Sequence, residues 1–95
     1  MRFEWDEAKS RRNLSKHRIS FETPKSVFDD PHQVSVQDRV VEGEERWQTL
    51  GMVSGVVIIV AHTWEEEDDG QVMRLISARM ATARERRVYA KNKQH

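Results

Sequence analysis

The sequence predicts an α+β fold: a small antiparallel sheet with two N-terminal helices on one side and one C-terminal helix closing the chain. Three observations predict it. The periodicities run in the order strand, two helices, four strands, helix. Val56 to Ala61 is an unbroken β-branched and apolar run, as a strand covered on both faces requires. Thr82-x-x-Glu85 is a capping box opening a basic helix that runs through about Lys91.

The elements follow in order. Arg2 to Trp5 alternates charged and aromatic residues, which suits a short edge strand. Asp6 to His17 is mostly helix-forming, with Asp6 placed to favour the helix N-terminus. Ser20 or Thr23 can cap a second helix that has Pro24 in its first turn. That helix stops near Asp29-Asp30, because Pro31 drives Asp30 out of the helical region. Gln33 to Gln37 alternates Val34 and Val36 with polar residues, the pattern of a half-buried strand. Gly43 marks a turn; Arg46 to Val53 reads as the next strand, with Gly51 as a bulge. Ser54-Gly55 is a hairpin turn into the central strand, and Glu65 to Gly70 reads as an acidic loop. Val72 to Ala78 is the last strand. Regular alternation puts Val72, Arg74, Ile76 and Ala78 on one face and Met73, Leu75, Ser77 and Arg79 on the other.

Composition narrows the function classes. The 95 residues show no repeat, linker or low-complexity tract, which points to a single domain spanning residues 1–95. Cysteine is absent, so disulfides and thiolate metal sites are excluded. No apolar run approaches the roughly 18 residues of a membrane span, and the N-terminus carries no secretion-type segment, so a cytoplasmic protein without membrane contact is expected. The net charge is +0, yet its distribution is uneven. Residues 1–18 are net +3, residues 19–73 net −9 and residues 74–95 net +6. Basic ends around an acidic centre suit a polyanion site and a separate acidic surface. No metal or cofactor is expected: Glu65 to Asp69 is contiguous rather than spaced for ligation, and no two histidines stand four apart.

Three groups of residues can carry chemistry. Asp6, Lys9, Asn13 and Lys16-His17 recur at helical spacing. They read as a phosphate-binding or proton-transfer face, histidine being the side chain that changes charge near neutrality; the alternative is a solvated face whose His17 closes the helix. Arg74 and Arg79 form the second group, since guanidinium groups bind phosphate bidentately and stabilise a charged transition state. Their opposite parity separates them while the strand stays regular, and the alternative for Arg74 is pairing with a carboxylate inside the fold. The third group is Arg86, Tyr89 and Lys93 on the C-terminal helix, spaced i, i+3, i+7. Tyr89 offers a ring for stacking on a base and Arg86 offers charge; the alternative folds Tyr89 against the sheet. Glu85 reads as a cap rather than a base.

Several segments together resemble BrnT toxins: Phe3-Glu4-Trp5-Asp6-x-x-Lys9-x-x-x-Asn13-Leu14-x-Lys16-His17 followed by Ile19-Ser20-Phe21, then Val27-Phe28-Asp29-Asp30-Pro31, then Gly43-Glu44-x-Arg46. The closing segment, Arg74-Leu75-Ile76-Ser77-Ala78-Arg79-x-Ala81-Thr82-x-x-Glu85-Arg86-x-x-Tyr89, is similar to the family's ending. The matches keep their order and span nearly the whole chain. The resemblance implies a type II toxin with a RelE-like fold that cleaves RNA and blocks translation. It implies a ribbon-helix-helix antitoxin (BrnA-like) as partner in a hetero-oligomer, with DNA reached only through the antitoxin. Two positions depart from the family's pattern: Thr63 runs into Trp64 and the acidic segment where an arginine is usual, and Pro24 stands where a helix former is usual.

The expected activity is therefore metal-independent ribonuclease cleavage. Arg79 and Arg46 stabilise charge, Lys9 or His17 transfers protons, and Arg74, Arg86 and Tyr89 hold RNA. An antitoxin acting by occlusion covers part of that surface, around Arg79, Arg86 and Tyr89. The departure at Thr63 supports an alternative, a toxin-like binding module that acts with its antitoxin in autoregulation without cutting RNA.

Overall fold

Asp6 opens the first helix as the sequence requires. In the computed structural model, which describes residues 1–94, its Oδ1 accepts the N–H groups of Ala8 at 2.8 Å and Lys9 at 3.3 Å. The strand β1 (Arg2–Glu4) precedes this cap and the helix α1 (Glu7–His17) follows it, ending at Arg18 in the left-handed region. The expected second helix is instead a single 3-10 helix, Pro24–Asp29, so one N-terminal α-helix is present rather than two. Six residues between Pro24 and an extended Asp30 offer too little length to nucleate an α-helix, and burial of Val27 and Pro24 fixes the tighter turn.

Four long strands follow: β2 (Val34–Val41), β3 (Glu44–Val53), β4 (Val56–Glu67) and β5 (Gly70–Met80), then the helix α2 (Ala83–Lys93). The turns Glu42-Gly43 and Ser54-Gly55 hold both their residues at positive φ, the two-residue geometry that matches the twist of paired strands. The sheet order is β1-β5-β4-β3-β2. β1 runs parallel to β5, with Phe3 opposite Met73, so the sheet is mixed rather than purely antiparallel. This one parallel pair needs a long crossover, and the intervening helices and strands supply it.

β4 is central, as its apolar run requires. Ile58 and Val60 face a core built with Ile19, Phe21, Val27, Leu75 and Ala78, on the side of α1 and the 3-10 helix. Val57 and Ile59 face Leu50, Ala81 and Tyr89 on the side of α2. Among the described residues no helix is long and apolar enough to cross a membrane.

Three further expectations are corrected. The stretch Glu65 to Glu67 is paired strand, opposite Val72, Gln71 and Gly70, and only Asp68-Asp69 turns. β2 is longer than Gln33–Gln37 and its Val36 is 58% exposed, because β2 is the edge strand and among the described residues no element covers Val36 there. Gly51 is not a bulge, since the register from Leu50 to Met52 against Ile59 to Val57 is unbroken. Glycine stands there because a Cβ would lie 2.6 Å from Val27 Cγ1 and 3.0 Å from the Val27 carbonyl oxygen. Gly51→Ala is therefore expected to destabilise the fold by about 2 kcal/mol and to lower Tm by roughly 10 °C in thermal denaturation; an unchanged Tm would show that the 3-10 helix yields freely.

The irregularity lies in β5. Ala61 pairs with Ser77 but His62 pairs with Leu75, which leaves Ile76 as an extra residue. A bulge reverses the alternation beyond it. Leu75 and Ala78 consequently share the helical core, contrary to the regular-strand assignment, and Arg74, Ser77 and Arg79 share the opposite face.

Candidate functional site

That opposite face is half covered. α2 seats Tyr89 against Leu50, Val57 and Ile59, near the Ser54-Gly55 end, and leaves the other half of the sheet open. Arg46 and Gln48 project onto the open half from β3, at positions alternating with Leu50. Gln48, Ala61 and Ser77 lie side by side across three strands, with Leu50, Ile59 and Arg79 in the next row.

Charge on this face is partly neutralised. Arg79 forks onto Glu85, with Nη1–Oε1 at 2.8 Å and Nη2–Oε2 at 3.0 Å. Glu85 also accepts the Thr82 N–H at 2.9 Å, and the Thr82 hydroxyl accepts the Glu85 N–H at 3.2 Å, completing the expected capping box. The Arg79 hydrogen bonds, helped by the Thr82 N–H against the opposing effect of burial, hold the Glu85 carboxyl down at about 2. Arg74 pairs with a carboxylate, Glu44, but on the exposed sheet face rather than inside the fold. Among the arginines of β3 and β5, Arg46 is the one without a carboxylate partner. It is half-buried, and its Nε is buried without a hydrogen-bond partner. Arg86 reaches back from α2 to donate to the Ala81 carbonyl at 3.0 Å.

The α1 residues come to the same neighbourhood by a different route. β1 covers β5 only at Val72 to Arg74, and beyond that point Asn13 takes over the strand edge. Its Nδ2 donates to the carbonyls of Ala78 at 2.7 Å and Ile19 at 2.8 Å, and its Oδ1 accepts the Ala78 N–H at 3.1 Å. Asn13 is thus a buried structural residue, not part of an open polar face. With α1 fixed there, Lys9, Arg12, Lys16 and His17 line a cleft of about 300 Å³ whose other wall is Ile76 and Ser77. Ser77 also lines a small pocket of about 30 Å³ with Gln48, Ile59, Ala61 and Arg79. The cationic cleft of α1 and the arginine face therefore meet at one serine.

Of the residues singled out in the sequence, the structure brings Lys9 and His17 together in the α1 cleft, places Arg79 across Ser77 from them, and sets Arg46 and Arg74 on the open sheet. Tyr89 is 3% exposed, and its hydroxyl donates to Asp30 Oδ2 at 2.6 Å. Burial first, and then the Asp30 carboxylate, pushes the Tyr89 phenol up to about 12. Burial of Asp30 acts upward too, but hydrogen bonds from Tyr89, Met52 N–H and His32 N–H outweigh it and hold that carboxyl below its ordinary value. Tyr89 thus pins α2 to the sheet, with its ring covered.

Sequence reasoning missed Ser77: alternation already set it on the Arg79 face, but no local signal says that α1 brings Lys9 and His17 beside it. It also missed His62, whose signal was its place directly after the apolar run of β4. His62 is 2% exposed. Its Nδ1 donates to the Thr63 carbonyl at 3.1 Å, so Nε2 accepts from the Thr49 hydroxyl at 2.7 Å. Burial lowers the imidazole below its ordinary value and keeps it neutral.

Comparison with known families adds one finding. Residues 5–85, most of the chain and all the residues named above on α1, β3 and β5, match the family model described as ribonuclease toxin, BrnT, of type II toxin-antitoxin system. No curated protein matches the chain.

Proposed function

The chain belongs to the BrnT family of ribonuclease toxins of type II toxin-antitoxin systems, and on that premise we propose that it cleaves RNA without a metal ion where the α1 cleft meets the arginine face. The observation that carries the reading is Ser77, which lines both the Lys9/His17 cleft and the Arg79 pocket. Proton-carrying and charge-stabilising groups therefore flank one stretch of β5.

The reaction suited to such a set needs no external nucleophile. The ribose 2′-oxygen attacks the adjacent phosphorus as a base removes its proton. The bond to the next nucleotide's 5′-oxygen breaks, and an acid protonates that oxygen. One product ends in a 2′,3′-cyclic phosphate and the other in a 5′-hydroxyl. Lys9 and His17 are the proton-transfer pair. Arg46 and Arg79 stabilise the charge on the phosphoryl oxygens. The Glu85 fork and a bond from Nη1 to the Met80 carbonyl at 3.3 Å hold Arg79 in place, and its Nε–H and the second Nη2–H remain for phosphate. Arg74 and Arg86 hold the RNA backbone, and Tyr89 contributes by keeping α2 and Arg86 seated.

Residues 1–95 act as one toxin-like unit of RelE-like architecture in the cytoplasm, and the loss of RNA stops translation. The partner is a ribbon-helix-helix antitoxin in a hetero-oligomer. It inhibits by covering Arg79 and Arg86 and carries the only contact with DNA. A second reading, a binding module with little cleavage, draws on the pairing of Arg74 with Glu44 and Arg79 with Glu85, which leaves Arg46 as the un-neutralised arginine of β3 and β5.

The deciding experiment incubates purified, antitoxin-free protein with single-stranded RNA in EDTA. Cleavage with cyclic phosphate ends, and none on a 2′-O-methylated strand, is expected. Cleavage only on addition of a divalent metal would overturn the mechanism, and no cleavage in either condition would favour the binding module.

A further inference from the structure

The helical face of the sheet carries an aromatic cleft that the cleavage chemistry does not use. The 3-10 helix covers this face as far as Phe28, whose ring meets His62 edge-on at 4.9 Å. Beyond it, Ser35, Trp47, His62, Trp64 and Met73 line an open cleft of about 250 Å³. His62 and Met73 form a buried floor, and Trp64 is 41% exposed. Trp47 lies opposite His62 and Trp64 opposite Met73, so the two indoles stand on neighbouring strands, one alternate position apart. Among the described residues neither indole stacks on another ring, so their faces are open to an inserted group.

The rim is acidic. Glu45 stands two residues before Trp47 and Glu66 two after Trp64, so alternation puts both carboxylates on the face of the indoles. Both are exposed, and among the described residues neither is ion-paired. In the turn beside this end of the sheet Asp69 is paired with Arg2 at 3.6 Å, while Asp68 adds charge of the same sign. Carboxylates at this rim repel RNA phosphates. They attract a cationic side chain, which gains again by lying over an indole face, while its apolar neighbours fill the cleft. We infer that the Trp47/Trp64 cleft anchors the antitoxin, through a segment that alternates arginine or lysine with aliphatic residues. The inference rests on the reading that an antitoxin binds this chain, not on the cleavage chemistry. A segment seated here touches neither Arg46 nor Arg79, so holding the toxin and blocking its RNA face are separate functions of the partner.

The test uses a defined peptide, acetyl-Leu-Arg-Leu-Arg-Leu-amide, titrated into the full chain while the three indole N–H signals are followed by NMR. The Trp47 and Trp64 signals are expected to shift saturably while Trp5 stays in place. Trp64→Ala should weaken binding by about tenfold, and the Glu45→Gln/Glu66→Gln pair should weaken it and flatten its salt dependence. The same peptide with glutamate for arginine should not bind. Trp64→Ala should cut RNA at the wild-type rate, so loss of peptide binding with retained cleavage supports the separation. Equal binding of the glutamate peptide, unmoved indoles at millimolar peptide, or shifts of Trp47 and Trp64 produced by single-stranded RNA would each overturn the inference. Absence of cleavage in wild type and variant alike would strike only the ribonuclease reading.

Discussion

Replacing Asn13 by alanine is expected to lower the melting temperature by roughly 15 °C. The side chain is buried and makes three hydrogen bonds, two to Ala78 and one to Ile19. Alanine removes all three and leaves two carbonyls and one N–H of the backbone without partners in a place water does not reach. At about 1 kcal/mol each, the low end for an orphaned buried group, the loss is on the order of 3 kcal/mol. That is a large share of the roughly 5–15 kcal/mol by which small domains are stable. Asn13→Asp should fare no better, because it keeps the bond from the Ala78 N–H but sets a carboxylate against two carbonyl oxygens. Thermal denaturation followed by circular dichroism measures the effect; a shift of only a few degrees would mean that another group takes over the β5 edge. Cleavage should fall together with stability, since Lys9 and His17 stand opposite Ser77 only while α1 is held there.

Arg46→Ala is expected to lower RNA cleavage by about 10²–10³-fold, the usual loss when a donor to the transition-state charge is removed. The two arginines of β5 are committed to Glu44 and Glu85, so of the β3 and β5 arginines Arg46 contributes the uncompensated charge on the open face. Arg46→Lys should recover part of the rate, because an ammonium restores charge without the planar fork. Stability should hardly change: Arg46 is half-buried, and its orphaned Nε is a cost that alanine removes. Initial rates in EDTA, measured beside Tm for each variant, separate chemistry from folding. If Arg46→Ala cuts normally and Arg79→Ala does not, the phosphoryl charge is held by Arg79 in spite of its carboxylate.

The two variants also mark where local information stops. Arg46 was legible through the resemblance of Gly43-Glu44-x-Arg46 to the family's segment, whereas its freedom from a carboxylate depends on Glu44 reaching Arg74, 30 residues away. Asn13 was misread as part of an open polar helix face. Its helical spacing from Lys9 and His17 is correct, but helical spacing does not state which neighbour arrives beside a residue. For Arg74 and Arg79 the sequence supplied the residues and the wrong geometry, since one extra residue at Ile76 reverses the alternation that had separated them. Tyr89 was offered two environments by the sequence, and Asp30 selected the buried one.

By itself the sequence determined what depends on neighbours a few residues apart. The Asp6 cap, the Thr82/Glu85 capping box, the two-residue turns and the central place of Val56 to Ala61 all follow from backbone geometry and burial, which act over a single turn or strand. The tertiary structure alone decided the parallel seat of β1, the 3-10 turn, the bulge and the meeting of the α1 cleft with the arginine face at Ser77. Each of these turns on contacts such as Asn13 with Ala78, 65 residues away, or Tyr89 with Asp30, 59 residues away. A buried polar group must find a partner in the folded chain, and no short stretch of sequence specifies a partner that far off.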